Sequence, residues 1–208
     1  MSAKNLVIHN SRWRSARIAA QVSPSQLVLQ NASLVSAIQG EAFLRGSIGL
    51  RNWSYLPTNP LSIDLSVQRI RVADLQSMMK LHYPISGELS AGIHLHGSEL
   101  DPIGSGAVRI LNARIHEEPL QNLMLEFRAD KGLINSAANI SMRSGSATVK
   151  LDYAPATKAY KLQLDAPSVV LQELDAVRVR NLPLSGVLKV SAMGQGTLEN
   201  LQLTAILD

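Results

Sequence analysis

Apolar and polar residues alternate with a period of two along most of the chain. The clearest runs are Leu61-Ile63-Leu65-Val67, Leu89-Ala91-Ile93-Leu95, Leu123-Leu125-Phe127 and Ala147-Val149-Leu151. Tyr160-Leu162-Leu164, Leu188-Val190-Ala192 and Leu201-Leu203-Ala205-Leu207 continue the pattern. Successive side chains of a strand point to opposite faces, so each run predicts a strand with one apolar and one wetted face. Intervening residues such as Asp64, Ser66, Gln68, Gln163 and Asp165 are polar. Turn signals separate the runs: Ser86-Gly87, Ser105-Gly106, Lys131-Gly132, Ser144-Gly145 and Ser185-Gly186. Half-wetted strands joined by short turns predict an antiparallel sheet. Helical spacing is confined to Ala73 to Leu81 ("ADLQSMMKL"), with a weaker counterpart near Leu171 to Val177.

The pattern is written twice. "YPISGELSAGIHLHG" (83–97) returns as "LPLSGVLKVSAMGQG" (182–196), so that Pro84 falls on Pro183, 99 residues on. The same offset carries Gly46-Ser47 onto Gly145-Ser146, Leu65 onto Leu164, Leu75 onto Leu174 and Gly97 onto Gly196. Upstream, "LVIHNSRW" (6–13) resembles "VRILNARI" (108–115) at an offset of 102. A unit repeated at a fixed period builds an extensible architecture, in which each copy hands its edge to the next. No Pro/Gly/Ser-rich linker separates the copies. The expectation is one continuous elongated structure over 1–208, with internal copies at about 6–107 and 108–208. Both ends enter strand pattern abruptly, which reads as a fragment of a longer chain.

Composition narrows the function classes. The hydrophobic fraction is 46% and the charged fraction 17%, so the chain is not of disordered type. Aromatics are only 4%, which points to a thin aliphatic interior rather than one built on large rings. Without cysteine there is no disulfide, thiolate catalysis or Cys-ligated metal. A formal net charge of +4 fits ordinary solubility. No stretch reaches the ~20 apolar residues of a membrane span, and "MSAKNLVIHN" lacks a signal-peptide core.

Catalytic constellations are sparse. His94 and His96 share a strand face, with His116, Glu117 and Glu118 as the nearest further ligands. Ile93 and Leu95 claim the apolar face, so the histidines are expected on the solvent side. There is no Gly-x-Ser-x-Gly elbow, and "GSELDPIGSG" (97–106) reads as a turn with Pro102 rather than a phosphate loop. Asp64 and Asp165 sit at wet positions without the aromatic platforms of a sugar cleft. "RWRSAR" (12–17) reads as a solvated strand end, and Asn10 and Asn112 as Asx turns at strand ends.

The repeating unit resembles the TamB family and the wider AsmA-like group of bacterial envelope proteins. The resemblance rests on "PISGELSAGIHLHGSELDPIGSGAVRILNARI" (84–115), "PLQNLMLEFRADKGLI" (119–134), "GSATVKLDY" (145–153) and "LQLDAPSVVLQEL" (162–174). Residues 1–45 match most loosely, and "GQGTLENLQL" (194–203) lacks a counterpart of Pro102. The resemblance implies an all-β fold: an elongated antiparallel sheet of repeats folded lengthwise into a taco-like groove with an apolar lining. It also implies the periplasmic part of an inner-membrane-anchored protein that transfers phospholipid or helps assemble outer-membrane proteins. Its implied partners are phospholipid acyl chains, an outer-membrane β-barrel assembly protein and flanking repeats of the same chain. The expected wall residues are Ile63, Leu65, Leu89, Ile93, Leu95, Leu123, Leu125, Phe127, Val149, Leu151, Leu162, Leu164, Leu188 and Val190. A tail path of this kind needs no enzyme chemistry, cofactor or metal. Two other classes compete: a scaffold that binds client strands by β-augmentation, and a carbohydrate-active solenoid. The same alternation would also build a sandwich core closed on itself.

Overall fold

The computed structural model describes every residue except Asn10 and Glu117. Strand accounts for 69% of the chain. The first strands are β1 (Ser2–Ile8), β2 (Ser11–Val22), β3 (Gln26–Ser36), β4 (Glu41–Gly49) and β5 (Leu61–Arg71). Helix α1 (Val72–Met79) precedes β6 (Ile85–Gly97), β7 (Pro102–Ile115) and β8 (Glu118–Asp130). Then come β9 (Leu133–Met142), β10 (Gly145–Ala154) and β11 (Ala159–Val170). A 3-10 turn (Leu171–Glu173) and helix α2 (Asp175–Val179) lead to β12 (Val187–Thr197) and β13 (Asn200–Leu207).

All thirteen strands form one antiparallel sheet in sequence order. It is curved and open, because β1 and β13 are edges and do not pair. Twelve strand spacings make it about 58 Å along its contour. The period-two runs become strands as expected, and α1 begins one residue before the predicted helix. Lys80, in the left-handed conformation at φ 55°, ends α1 and hydrogen-bonds back to Gln76 O and Ser77 O.

Both helical segments follow a strand that carries a bulge. Pairing of β5 with β6 skips between Val67 and Ile70, and pairing of β11 with β12 skips between Ala166 and Val169. Each skip lies 99 residues from the other. Upstream of β5 the offset drifts, because residues 50–60 connect β4 to β5 where only 155–158 connect β10 to β11. Gly46 therefore lies within β4, whereas Gly145 opens β10.

Most buried residues gather at one rim, where α1 lies on the apolar side. One cluster joins Trp13, Val67 and Ile70, with Leu75 and Met78 of α1 packed against it. The other joins Val72, Ile110, Ala113 and Leu120, surrounded by Leu89, Leu123 and Ile140. Polar bonds fix the helix: Ser11 Oγ donates to Asp74 O (3.1 Å), and Gln76 Nε2 to Ile85 O (2.7 Å). The Arg71 guanidinium grips the buried Asp74 carboxylate through Nε (2.9 Å) and Nη2 (2.7 Å).

Three sequence expectations are corrected here. Ser86-Gly87 and Ser105-Gly106 do not form turns between strands; they lie inside β6 and β7. Trp13 is not part of a solvated end; it is 1% exposed. Alternation in β2 sends Arg12 and Arg14 outward and Ser11 and Trp13 beneath α1. Asn112 sits not at a strand end but in a bulge within β7, at φ 50°, where pairing jumps from Glu88–Leu111 to Ser86–Arg114. Asn10 lies outside the described residues.

Gly104 shows how tightly register is held. It adopts φ 143°, and a Cβ there would enter the carbonyl oxygen of His94 on β6. Gly104→Ala is expected to cost about 2–3 kcal/mol, combining left-handed strain with a displaced strand pair. A urea midpoint unchanged from the parent protein would contradict that assignment.

Candidate functional site: the apolar face

Directly opposed residues of paired strands share a face, so the registers define rows across the sheet. One row runs Leu44, Leu65, Ile93, Gly106, Phe127, Ser136, Leu151, Leu162, Gly194, Leu203. The next runs Ala42, Val67, Ala91, Val108, Leu125, Ala138, Val149, Leu164, Ala192, Ala205. Ile63 and Leu95 face each other on one side of these rows. Leu89, Ile110 and Leu123 lie on the other side, and Leu188 and Val190 follow on β12. The structure thus places all fourteen expected wall residues on a single face.

That face is not closed over. None of the fourteen is buried: thirteen are half-buried and Leu125 is 37% exposed. A second sheet packed against them would remove such residues from water. The helices cover one rim only, leaving the rows from Ile63 to Leu164 facing outward. Toward β1 the same face carries Ile18, at 54% exposed.

Local chemistry keeps the face smooth and apolar. A Cβ on Gly106 would collide with the Phe127 ring, so glycine lets the aromatic lie across β7. Ser136 is the polar member of its row, and its hydroxyl donates to Leu151 O (3.1 Å), leaving no free donor toward the face. Sequence reasoning missed Leu44, Val108, Ile110 and Ile140, which share the face; Leu203, in a run the sequence shows, joins them. In the early strands, bulges at Ala19/Ala20 and Leu29/Ala32 break the alternation that would have revealed it.

Titratable side chains take the opposite face. His94 Nδ1 lies 2.6 Å from Asp64 Oδ1, both exposed, and His96 follows on the same side. Asn135 Nδ2 donates to Asp152 Oδ1 (2.7 Å) in the same row of residues. A depression of about 690 Å³ there is lined by Gly92, His94, Ala107, Glu126, Arg128 and Lys150, with both signs of charge interleaved. His116 and Glu118 stand at the helical rim, away from His94, and Glu117 is outside the described residues. Among the described residues no three His, Asp or Glu side chains converge as a metal site. Asp165 faces the polar side too, opposite Thr148. Residues 98–101 form a turn closed by Ser98 N–H to Asp101 O (3.1 Å), after which Pro102 opens β7.

Compared with protein-family models, curated proteins and solved structures, the chain matches none. Among the described residues no helix is long and apolar enough to cross a membrane.

Proposed function

We propose that this chain is a non-enzymatic lipid-conducting segment, whose exposed apolar face carries phospholipid acyl chains across its strands. The observation that carries the reading is the combination of fourteen apolar residues on one face with the absence of full burial at any of them. A tail of about 15 methylenes costs on the order of 12 kcal/mol to hold in water, at about 0.8 each. A continuous aliphatic surface about 58 Å long would remove much of that cost without a strong site at any point. Leu, Ile, Val and Ala offer tails contact and offer headgroups nothing. The resemblance noted in the sequence supports a place between two membranes, with phospholipid passing between them.

The test is direct. Protein purified from a bacterial host, analysed by native mass spectrometry and organic extraction, is expected to bring phospholipid with it. It is also expected to bind a fluorescent fatty-acid probe. A well-folded protein that carries no lipid and ignores the probe would overturn the reading.

One observation favours a second reading, a scaffold that pairs with client strands. Every residue of β13 is exposed, and "NLQLTAIL" contains no charge, proline or bulge. The β1 edge, by contrast, is interrupted at Asn5 (φ 53°). Asp208 and Lys189 exchange backbone hydrogen bonds, so the N–H of Ala205, an odd number of residues away, points off the sheet. Ala205→Pro is expected to stop strand addition at this edge while leaving probe binding intact. Loss of the probe together with the client would instead indicate general unfolding.

A further inference from the structure

The connection between β4 and β5 is longer than the repeat requires, and it is built around an aromatic tip. Arg51 and Ser54 exchange both backbone hydrogen bonds (2.8 and 3.0 Å), closing a two-residue hairpin turn over Asn52 and Trp53. Their φ angles are 51° and 66°. Such a turn ordinarily holds Asn-Gly, and a bulky residue in the second place is an outlier. The ring is 63% exposed, so the strain is not offset by burial in a core, and Tyr55 (42%) and Leu56 (40%) stand exposed beside it.

The tip is braced. Trp53 N–H donates to Pro24 O (3.0 Å) and Leu50 N–H to Ser25 O (2.7 Å), both in the β2–β3 turn. Tyr55 hydroxyl donates to Glu99 in the β6–β7 turn (2.8 Å), and Asn59 Nδ2 to Gly49 O (2.9 Å). The segment thus straps the rim opposite the helices. Val22, Leu27, Ile48 and Leu61 form the end of the apolar face there. The corresponding connection in the second copy, 155–158, has no aromatic residue, so the architecture does not demand one.

We infer that this strap docks the rim on a lipid bilayer surface, with Trp53, Tyr55 and Leu56 seated at the headgroup–acyl boundary. Trp and Tyr combine an apolar body with a polar edge and favour that boundary. Arg51 is the strap's one charge between residues 50 and 60, and Glu99 beside Tyr55 offsets it. The surface it fits is therefore a zwitterionic bilayer held by apolar and aromatic contact, rather than an anionic one held by charge. Docking goes beyond the carriage of acyl chains and does not depend on it.

The chain has two tryptophans, and Trp13 is buried, so Trp53 reports on its own surroundings. Trp13→Phe leaves it as the sole emitter; in the unaltered protein, iodide quenching selects it. With phosphatidylcholine and phosphatidylethanolamine vesicles, Trp53 emission is expected to shift to the blue and to lose access to iodide. Bromine-labelled acyl chains should quench it, and high salt should not reverse the effect. Trp53→Gly restores the favoured turn residue and should fold at least as well while losing flotation with vesicles. Unchanged iodide access on vesicles, a blue shift without bromine quenching, or full flotation of Trp53→Gly would each overturn the inference. Ile93→Asp with Leu164→Asp should still float, which separates failure of docking from failure of acyl-chain carriage.

Discussion

Trp13→Ala is expected to destabilise the protein by about 3–5 kcal/mol, the range for removing a fully buried large aromatic side chain. For a chain of this size that corresponds to a melting temperature lower by roughly 6–20 °C. Trp13 starts on β2, yet it joins Val67 and Ile70 of β5 in one buried cluster under Leu75 and Met78. Aromatic residues are scarce here, so few other side chains can span that distance. Its loss opens a cavity beneath α1 and loosens the seat of the Ser11–Asp74 hydrogen bond. Trp13→Phe separates area from polarity. The indole Nε1 is buried without an acceptor, so phenylalanine keeps most of the apolar contact and removes an unpaired donor. Its thermal transition should lie within about 1 kcal/mol of the parent. If alanine and phenylalanine melt together near the parent temperature, the cluster does not anchor the helix.

How far the sequence could be read follows from the physics of each element. From β5 onward the runs named from the sequence alternate cleanly, because one face is apolar and the other wetted. But β7 and β9 lie outside those runs: Ser105-Gly106 imitates a turn inside β7, and serines, asparagines and alanines dilute the pattern of β9. In β2 and β3 the bulges at Ala19/Ala20 and Leu29/Ala32 shift the phase of the pattern midway, and periodicity alone loses the face. Trp13 escapes a reading of the pattern because its neighbours Arg12 and Arg14 are charged. On a strand that is what the wetted face of a buried aromatic looks like. The strain at Trp53 leaves no turn signal in the sequence, because a tryptophan stands where such a turn ordinarily holds glycine. Most consequential, alternation reveals that a face is apolar without revealing whether anything lies on it. A sandwich and an open groove share one pattern. The distinction came from side-chain exposure along the rows, with helices covering one rim and Leu125 still in contact with water.

That distinction sets the largest functional effect, expected in Ile93→Asp combined with Leu164→Asp. Ile93 sits on β6 against Leu65 and Gly106, and Leu164 on β11 between Val149 and Ala192. Five strand spacings, about 24 Å, separate them along the sheet. Two charges would therefore interrupt the face at two separate places. Each site is half-buried, so a carboxylate can stay hydrated from the open side. The cost to folding should be only about 1–2 kcal/mol per substitution. An acyl chain laid over the same carboxylate must strip that water, at about 2–3 kcal/mol or more. Affinity for a fluorescent fatty-acid probe should accordingly fall about 30- to 150-fold, and copurified phospholipid should vanish while circular dichroism stays that of a sheet. Gln163→Asp supplies the discriminating control, because it adds the same charge to β11 on the polar face. It should leave the probe's affinity unchanged. Equal losses from both faces would point to net charge rather than a tail path. A folded double variant that still carried phospholipid would mean that acyl chains do not travel on these rows.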